Sequence, residues 1–122
     1  MNWNVVYLPE AIKDLDELDG SQRQAVRKAL EKLRQNPLPE TEGGHGKWMR
    51  NKNNLDLSGM LKVKLRGAGL RIVYQLHRVK DQVLVIVIGA REDNLVYELA
   101  AKRIKLRNLK ECFSATQEDT TK

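Results

Sequence analysis

The pattern of apolar and polar positions predicts a strand and two helices in the first third of the chain. Residues 3–8 form a short, mostly apolar run that is typical of a strand. Two segments then repeat apolar residues every three or four positions, as amphipathic helices do. Pro9 suits the first turn of the first helix, and Asn36-Pro37 ends the second. Asp19-Gly20 separates the helices, and Ser21 is the predicted cap of the second one.

Three apolar runs further along the chain predict neighbouring antiparallel strands. They cover residues 60–66, 70–78 and 83–88. Links of only three or four residues separate them, which is typical of hairpins. The last run is apolar at every position, as in a strand that is covered on both faces. Residues 37–59, which are rich in Gly, Asn, Pro and Glu, are interpreted as a long loop.

These elements predict an α+β fold with the order β-α-α-β-β-β-α. A small, mostly antiparallel sheet would carry the N-terminal helical hairpin on one face, and its other face would be free for a ligand. A C-terminal helix would begin at Asp93 or Asn94. We predict that the domain occupies residues 1–110. Residues 111–122, rich in Ser, Thr, Gln and Glu, are predicted to form a disordered tail.

Length and composition exclude several classes of protein. The chain has 122 residues, about the size of one domain. Its longest aliphatic run, Val83–Ile88, is far shorter than the ~20 residues that cross a bilayer, and no secretory signal is apparent. We therefore expect a cytoplasmic protein without a membrane partner. One cysteine and two histidines offer neither a disulfide nor a metal site, so we expect no cofactor.

Positive charge is concentrated in the second half of the chain. The net charge is +6, yet residues 47–110 alone contain 15 Lys/Arg and 5 Asp/Glu, a net charge of +10. Such an excess indicates an anionic partner, and nucleic acid is the commonest one.

Strand alternation places several of these cations on one face of the sheet. In residues 60–66 the odd positions are aliphatic, whereas Lys62, Lys64 and Arg66 occupy even positions. Arg71 has the corresponding parity in the next strand and is expected to join them. A solvated face usually mixes charges of both signs, because like charges directly across strands repel. Four cations without an acid therefore indicate a binding surface for an anion.

Six short motifs follow one another through the second half of the chain. They are Lys62-Val63-Lys64-Leu65-Arg66, Gly69-x-Arg71, Val73-Tyr74-Gln75, Ile88-Gly89-Ala90-Arg91-Glu92, Val96-Tyr97 and Lys102-Arg103-Ile104. In this order and spacing, and after a strand–helix–helix opening, they resemble the RelE family of bacterial toxins, part of the RelE/ParE superfamily. The resemblance covers about residues 3–105.

This resemblance implies an activity and a set of partners. Members of the family are mRNA interferases of type II toxin–antitoxin systems. The toxin enters the ribosomal A site, where the 2′-hydroxyl of the mRNA attacks the adjacent phosphate and leaves a 2′,3′-cyclic end. The implied partners are a cognate antitoxin protein, the mRNA and the ribosome with its rRNA. Because the candidate site has no acid pair for a divalent ion, we expect a metal-independent endoribonuclease.

The resemblance also assigns catalytic residues, namely Lys62, Lys64, Arg71, Arg91 and Tyr97. The planar guanidinium of Arg71 can donate hydrogen bonds to two phosphate oxygens at once and can stabilise the negative charge of the transition state. Lys62 or Lys64, crowded by other cations, is a candidate base, and Tyr97 can orient or deprotonate the 2′-hydroxyl. Family proposals make Arg91 the general acid, a role that stays open here. Arg66 is assigned to backbone phosphate contact in RNA binding.

Two other functions fit the same fold. One is a ParE-like toxin that blocks DNA gyrase by binding, and the other is a non-catalytic RNA-binding module. Gyrase-directed members generally lack the set of cations and tyrosine present here. Aromatic residues make up only 5% of the chain, which argues against a module that binds RNA mainly by stacking. The histidines, His45 and His77, are not expected to transfer protons, because one lies in the loop and the other far along a strand from Arg71.

Overall fold

The structure is a computed structural model that describes residues 3–50, 57–90 and 96–108. A five-stranded sheet of order β1-β5-β4-β3-β2 forms its centre. β1 is parallel to β5, and the other pairs are antiparallel. The strands are β1 (Asn4–Tyr7), β2 (Lys47–Trp48), β3 (Met60–Leu65), β4 (Leu70–His77) and β5 (Gln82–Ala90), and the helices are α1 (Pro9–Asp16), α2 (Gly20–Gln35) and α3 (residues 96–108). The predicted α+β class and the mostly antiparallel sheet are confirmed.

The N-cap of α2 is Asp19 rather than the predicted Ser21. The Asp19 carboxylate accepts a hydrogen bond from the Gln22 N–H at 2.8 Å, and the Gln22 side chain accepts one from the Asp19 N–H at 3.2 Å. This capping box satisfies two backbone N–H groups reciprocally. Ser21 donates its hydroxyl to the same carboxylate at 2.9 Å and supports the cap from inside the helix. The predicted end of α2 is confirmed, with Asn36 as the C-cap.

The sequence pattern does not predict β2, which lies in the segment interpreted as a loop. Its Lys47 pairs with Lys62 and its Trp48 with Leu61. A strand of two residues is too short to show alternation, so its pairing with β3 is what defines it. The preceding segment is held to the sheet by Tyr74, whose hydroxyl donates to the Pro37 carbonyl at 2.8 Å.

Helices cover both faces of the sheet. α2 packs on the face that carries the odd positions of β3, and its Ala29 and Leu33 lie beside Val63, as predicted for the helical hairpin. α3 crosses the opposite face, where Val96 packs over Gly89. The prediction that this second face is free for a ligand is therefore wrong. α3 occupies its β4–β5 part and leaves a pocket beside β2 and β3.

β5 is the buried centre of the fold. Val83–Ile88 all expose less than one-tenth of their surface, which confirms a strand covered on both faces. The strand carries a β-bulge, because Val73 pairs with Val87 while the next residue, Tyr74, pairs with Val85. Ile86 is the extra residue. Bulges re-aim the side chains around them and are common beside functional sites.

Two further predictions fall outside the described residues. They are the helix cap at Asp93 or Asn94 and the disordered tail at residues 111–122. In the described part of the chain, every helix is too short or too polar to cross a membrane.

Candidate functional site

Three of the predicted site residues meet on the face that α3 crosses. Lys62 on β3 and Arg71 on β4 both donate hydrogen bonds to the hydroxyl oxygen of Tyr97 on α3, and Lys62 Nζ lies 3.3 Å from that oxygen. The guanidinium of Arg71 is 5.1 Å from the centroid of the Tyr97 ring, and the Lys62 ammonium is 5.5 Å from it. Both distances are within the range of cation–π attraction. Two strands and a helix thus converge on one phenol oxygen.

Strand register extends the site into a row of cations. Lys64 pairs directly with Arg71, and Lys47 pairs directly with Lys62. Paired residues share a face of a sheet, so four cations from three adjacent strands lie side by side. Cross-strand pairs of like charge are unfavourable for folding. Such an arrangement therefore indicates a surface that binds a negatively charged partner.

Arg71 is the one charged side chain classed as buried among the described residues, with 8% of its surface exposed. Its Nε has no hydrogen-bond partner, and no ion pair in the described part of the chain includes it. Burying a charge without a counter-charge costs free energy. Among the described residues the Arg71 guanidinium therefore donates to the Tyr97 hydroxyl and forms no ion pair with a carboxylate.

A pocket of about 420 Å³ adjoins the cluster formed by Lys62, Arg71 and Tyr97. Its lining includes Lys62 and Tyr97 together with two exposed cations, Lys47 and Arg50. Lys47 and Arg50 have no distinguishing sequence pattern, because both lie in the segment interpreted as a loop. The pairing of β2 with β3 brings them to the site, and the only sequence signal for them is the general excess of positive charge.

Among the remaining predicted site residues, Lys64 continues the row of cations beside Arg71. Lys64 is exposed and lines a second pocket, together with His45 and with Lys28 and Lys32 of α2. Arg66 does not continue the row of cations, as was expected from alternation. β3 ends at Leu65, and Arg66 begins a 3₁₀ turn that lies beside the first turn of α2. Arg91 is outside the described residues.

Neither histidine lies at the cluster. His77 ends β4 opposite Gln82, six residues along the strand from Arg71, and His45 lies in the pocket beside α2. Within residues 3–50, 57–90 and 96–108, no group of three His, Cys, Asp or Glu side chains is arranged to hold a metal ion. The arrangement offers cations and a phenol, which can bind a phosphate group and stabilise negative charge that develops on it.

Comparisons with known proteins point to bacterial toxins. A family profile described as the ParE toxin of the type II toxin–antitoxin system, parDE, matches residues 5–95. The mRNA interferase toxin RelE of Escherichia coli strain K12 is 33% identical over 94 residues, which cover 77% of this chain and 88% of the relative.

Solved structures of RelE toxins have a similar fold. A mutant of the E. coli toxin RelE in the free state matches with a TM-score of 0.68 and 30% identity, over 85% of this chain and 99% of the other. A RelE mutant in complex with a peptide of the antitoxin RelBc matches with a TM-score of 0.61 and 28% identity, over 82% of this chain and 95% of the other.

Proposed function

Because this chain belongs to the RelE/ParE family of type II toxin–antitoxin toxins, we propose that it is an mRNA endoribonuclease toxin. Lys62, Arg71 and Tyr97 form the centre of its site. The observation that carries the proposal is the buried guanidinium of Arg71, which meets no acid among the described residues and shares the Tyr97 hydroxyl with a lysine. A site built from cations around a phenol suits a reaction at a phosphodiester.

The proposed reaction uses the RNA's own 2′-hydroxyl as the nucleophile. A bond forms from the 2′-oxygen to the adjacent phosphorus, and the bond from phosphorus to the 5′-oxygen breaks, which leaves a 2′,3′-cyclic phosphate. Arg71 stabilises the charge that develops on the non-bridging oxygens. Tyr97 orients the 2′-hydroxyl, whose proton passes to the deprotonated Tyr97 oxygen or to the uncharged amine of a lysine of the row. A neighbouring cation, with Arg91 as the family's candidate, protonates the leaving 5′-oxygen.

We further propose that the substrate is mRNA in the A site of the ribosome, so the toxin acts in the cytoplasm. The strongly basic segment 47–110 fits a partner made largely of RNA, because phosphate contacts supply most of the non-specific affinity for nucleic acid. Its cognate antitoxin is the second partner. The RelE mutant bound to an antitoxin peptide supports a partner of this class.

A gyrase-blocking toxin of the ParE type is the alternative, since the matched family profile carries the ParE name. A protein that acts by binding alone has no need to bury an arginine against a tyrosine and a lysine, with no acid beside it among the described residues. The relative named mRNA interferase toxin RelE is moreover similar over most of both chains. These two observations favour the endoribonuclease.

The test is to map mRNA 5′ ends after brief induction of the toxin. We expect cuts that follow the reading frame inside translated regions, and an Arg71→Ala variant that cleaves about 10²–10³-fold more slowly. Arg78→Ala is the matched control, because Arg78 is an exposed arginine paired with Glu42 away from the site. A soluble Arg71→Ala protein with full toxicity would remove Arg71 from the site. Unchanged mRNA ends with inhibited DNA supercoiling would favour the gyrase alternative.

A further inference from the structure

Only the first half of β5 pairs with β1, so the second half of the strand has other hydrogen-bond partners on that side. β1 pairs with β5 only as far as Val85, because the chain leaves the sheet after Tyr7 and turns into α1 at Pro9. The backbone of residues 86–88 lies beyond the end of β1. Buried N–H and C=O groups require hydrogen-bond partners, so this stretch needs partners other than a strand.

Two charged side chains supply those partners. Asp14 on α1 accepts a hydrogen bond from the Ile88 N–H at 3.1 Å, and Arg103 on α3 donates one to the Ile86 carbonyl at 2.9 Å. Ile86 is the bulged residue of β5. The two side chains also pair with each other, because Arg103 Nη1 and Nη2 lie 2.7 and 3.1 Å from the two carboxylate oxygens of Asp14.

This ion pair is largely shielded from water. The side chain of Arg103 is 11% exposed, and that of Asp14 is 15% exposed. A buried ion pair adds little net stability compared with apolar side chains, yet each partner depends strongly on the other. A bidentate arginine–carboxylate pair also has a defined orientation. The pair is therefore suited to fixing the position of α3 on the sheet.

The helix that Arg103 anchors is the one that carries Tyr97. Six residues of α-helix correspond to about 9 Å, so α3 is held at two points about that far apart, at Tyr97 by Lys62 and Arg71 and at Arg103 by Asp14 and β5. The buried side chains of α3, Val96 and Ala100, are small or aliphatic. Apolar contacts lack the directionality of hydrogen bonds and leave the helix position along its axis less well defined.

We propose that Asp14 and Arg103 are positioning residues, which place the hydroxyl of Tyr97 between Lys62 and Arg71. The effect of this positioning on catalysis rests on the proposed nuclease function. Asp14 and Arg103 do not touch the RNA in this scheme and act only through α3. Loss of the pair lets the helix shift and takes the phenol oxygen out of reach of the two cations.

Fluorine NMR tests the positioning without reference to activity. The chain has three tyrosines, so protein labelled with fluorotyrosine gives three signals, and Tyr97→Phe identifies one of them. Arg103→Met should move the Tyr97 signal toward its position in the denatured protein. Lys102→Met, which removes an exposed positive charge from the adjacent position of α3, should leave it unchanged. An unmoved signal in Arg103→Met overturns the proposal.

Arg103→Lys covers the case in which Arg103→Met does not fold. A lysine keeps the charge but loses the fork, so the Tyr97 signal should move by a smaller amount than a complete loss of the pair would cause. A Tyr97 signal identical to that of the wild type in this folded variant would also contradict the proposal.

Kinetics on ribosome-bound mRNA then test whether the position of Tyr97 affects the rate of cleavage. Arg103→Met should lower kcat at least about 10-fold and change KM less than about 2-fold, because misplacement affects the chemical step. In a Tyr97→Phe background the same substitution should change kcat by less than about 2-fold, since its effect passes through Tyr97. Equal losses in both backgrounds would overturn the proposal. A wild-type protein that cleaves no mRNA would contradict the proposed function, and the fluorine signals would still decide the positioning.

Discussion

Arg71 supports the proposed chemistry, but its buried charge lowers the stability of the fold. Its guanidinium is buried beside another cation and meets no acid in the part of the chain that the structure describes. We expect Arg71→Met, which keeps the length of the side chain, to slow cleavage about 10²–10³-fold, as Arg71→Ala does. The same variant should raise the free energy of unfolding by roughly 1 kcal/mol, because an apolar group replaces an uncompensated buried charge.

Thermal and urea unfolding followed by circular dichroism measure this effect. For a domain of this size the increase corresponds to about 4 °C in Tm. Arg78→Met is the control, and it should not gain stability because Arg78 is exposed. A clear loss of stability in Arg71→Met would show that the arginine supports the fold and is not held there against it.

The lack of a histidine at the cluster predicts the pH dependence of cleavage. Rates measured in single turnovers between about pH 5.5 and 9 should rise toward alkaline pH without an inflection of the kind that an imidazole gives near neutrality. His45→Ala and His77→Ala should cleave at the wild-type rate, because both histidines lie away from Tyr97 and Arg71. Magnesium ions should matter only for keeping the ribosome assembled. A bell-shaped profile that disappears in either variant would contradict this account of the site.

At the scale of the elements, α2 depends on its capping box. The hydrogen bond from the Gln22 N–H, and next the one from the Ser21 hydroxyl, hold the pKa of Asp19 below its ordinary value of 3.8. A carboxyl group with a lowered pKa stabilises the fold above its ordinary pKa, and this contribution disappears as the pH falls through the folded-state pKa. We expect Asp19→Asn to keep a cap while losing that acid dependence, and Asp19→Ala to lose the cap at every pH.

The measurement is Tm between about pH 2.5 and 7, where the difference between wild type and Asp19→Asn should shrink toward the acid end. Asp81, which ends another turn, provides a control as Asp81→Asn for the removal of one negative charge away from α2. A constant difference between Asp19→Asn and wild type across the range would mean that the carboxylate charge is not what the cap uses.

The sequence predicts elements well where one chain segment contains the whole signal. Helical spacing in α1 and α2 and alternation in β3 and β4 arise from local contacts with a single core, and these elements form as predicted. β2 depends on a partner strand, and the Asp14–Arg103 pair joins residues 89 positions apart. Alternation also ceases where a strand ends, so Arg66 leaves the row of cations. Strand parity predicts that Lys62 and Arg71 share a face, which the strand register shows, while the position of Lys47 and Arg50 beside Lys62 required the three-dimensional structure.

At the scale of the whole molecule, the uneven charge predicts how the antitoxin binds. A segment with a net charge of +10 attracts an acidic partner and accelerates encounter at low salt. We expect a cognate antitoxin that is acidic or carries an amphipathic helix. Its association rate should fall at least about 10-fold between about 0.05 and 0.5 M salt. Stopped-flow mixing of the purified proteins measures this rate.

The dissociation rate of the same complex serves as the internal control, because buried contacts respond weakly to salt. A toxin that is harmless when expressed alone, and that co-purifies with no product of its own operon, would contradict the prediction of a dedicated antitoxin. An association rate that is insensitive to salt would show that the basic segment has no part in the encounter.

The edge position of β2 affects how two copies of the protein meet. β2 is the last strand on its side of the sheet, and an open edge invites a strand of another chain to add to it. Lys47 stands on this edge with Lys62 beside it, so two copies that approached edge to edge would bring lysines against lysines. The cations that hold RNA in our proposal thus also discourage aggregation. Variants that neutralise them should become less soluble as well as less active, and a loss of toxicity in such variants needs to be read together with the amount of soluble protein.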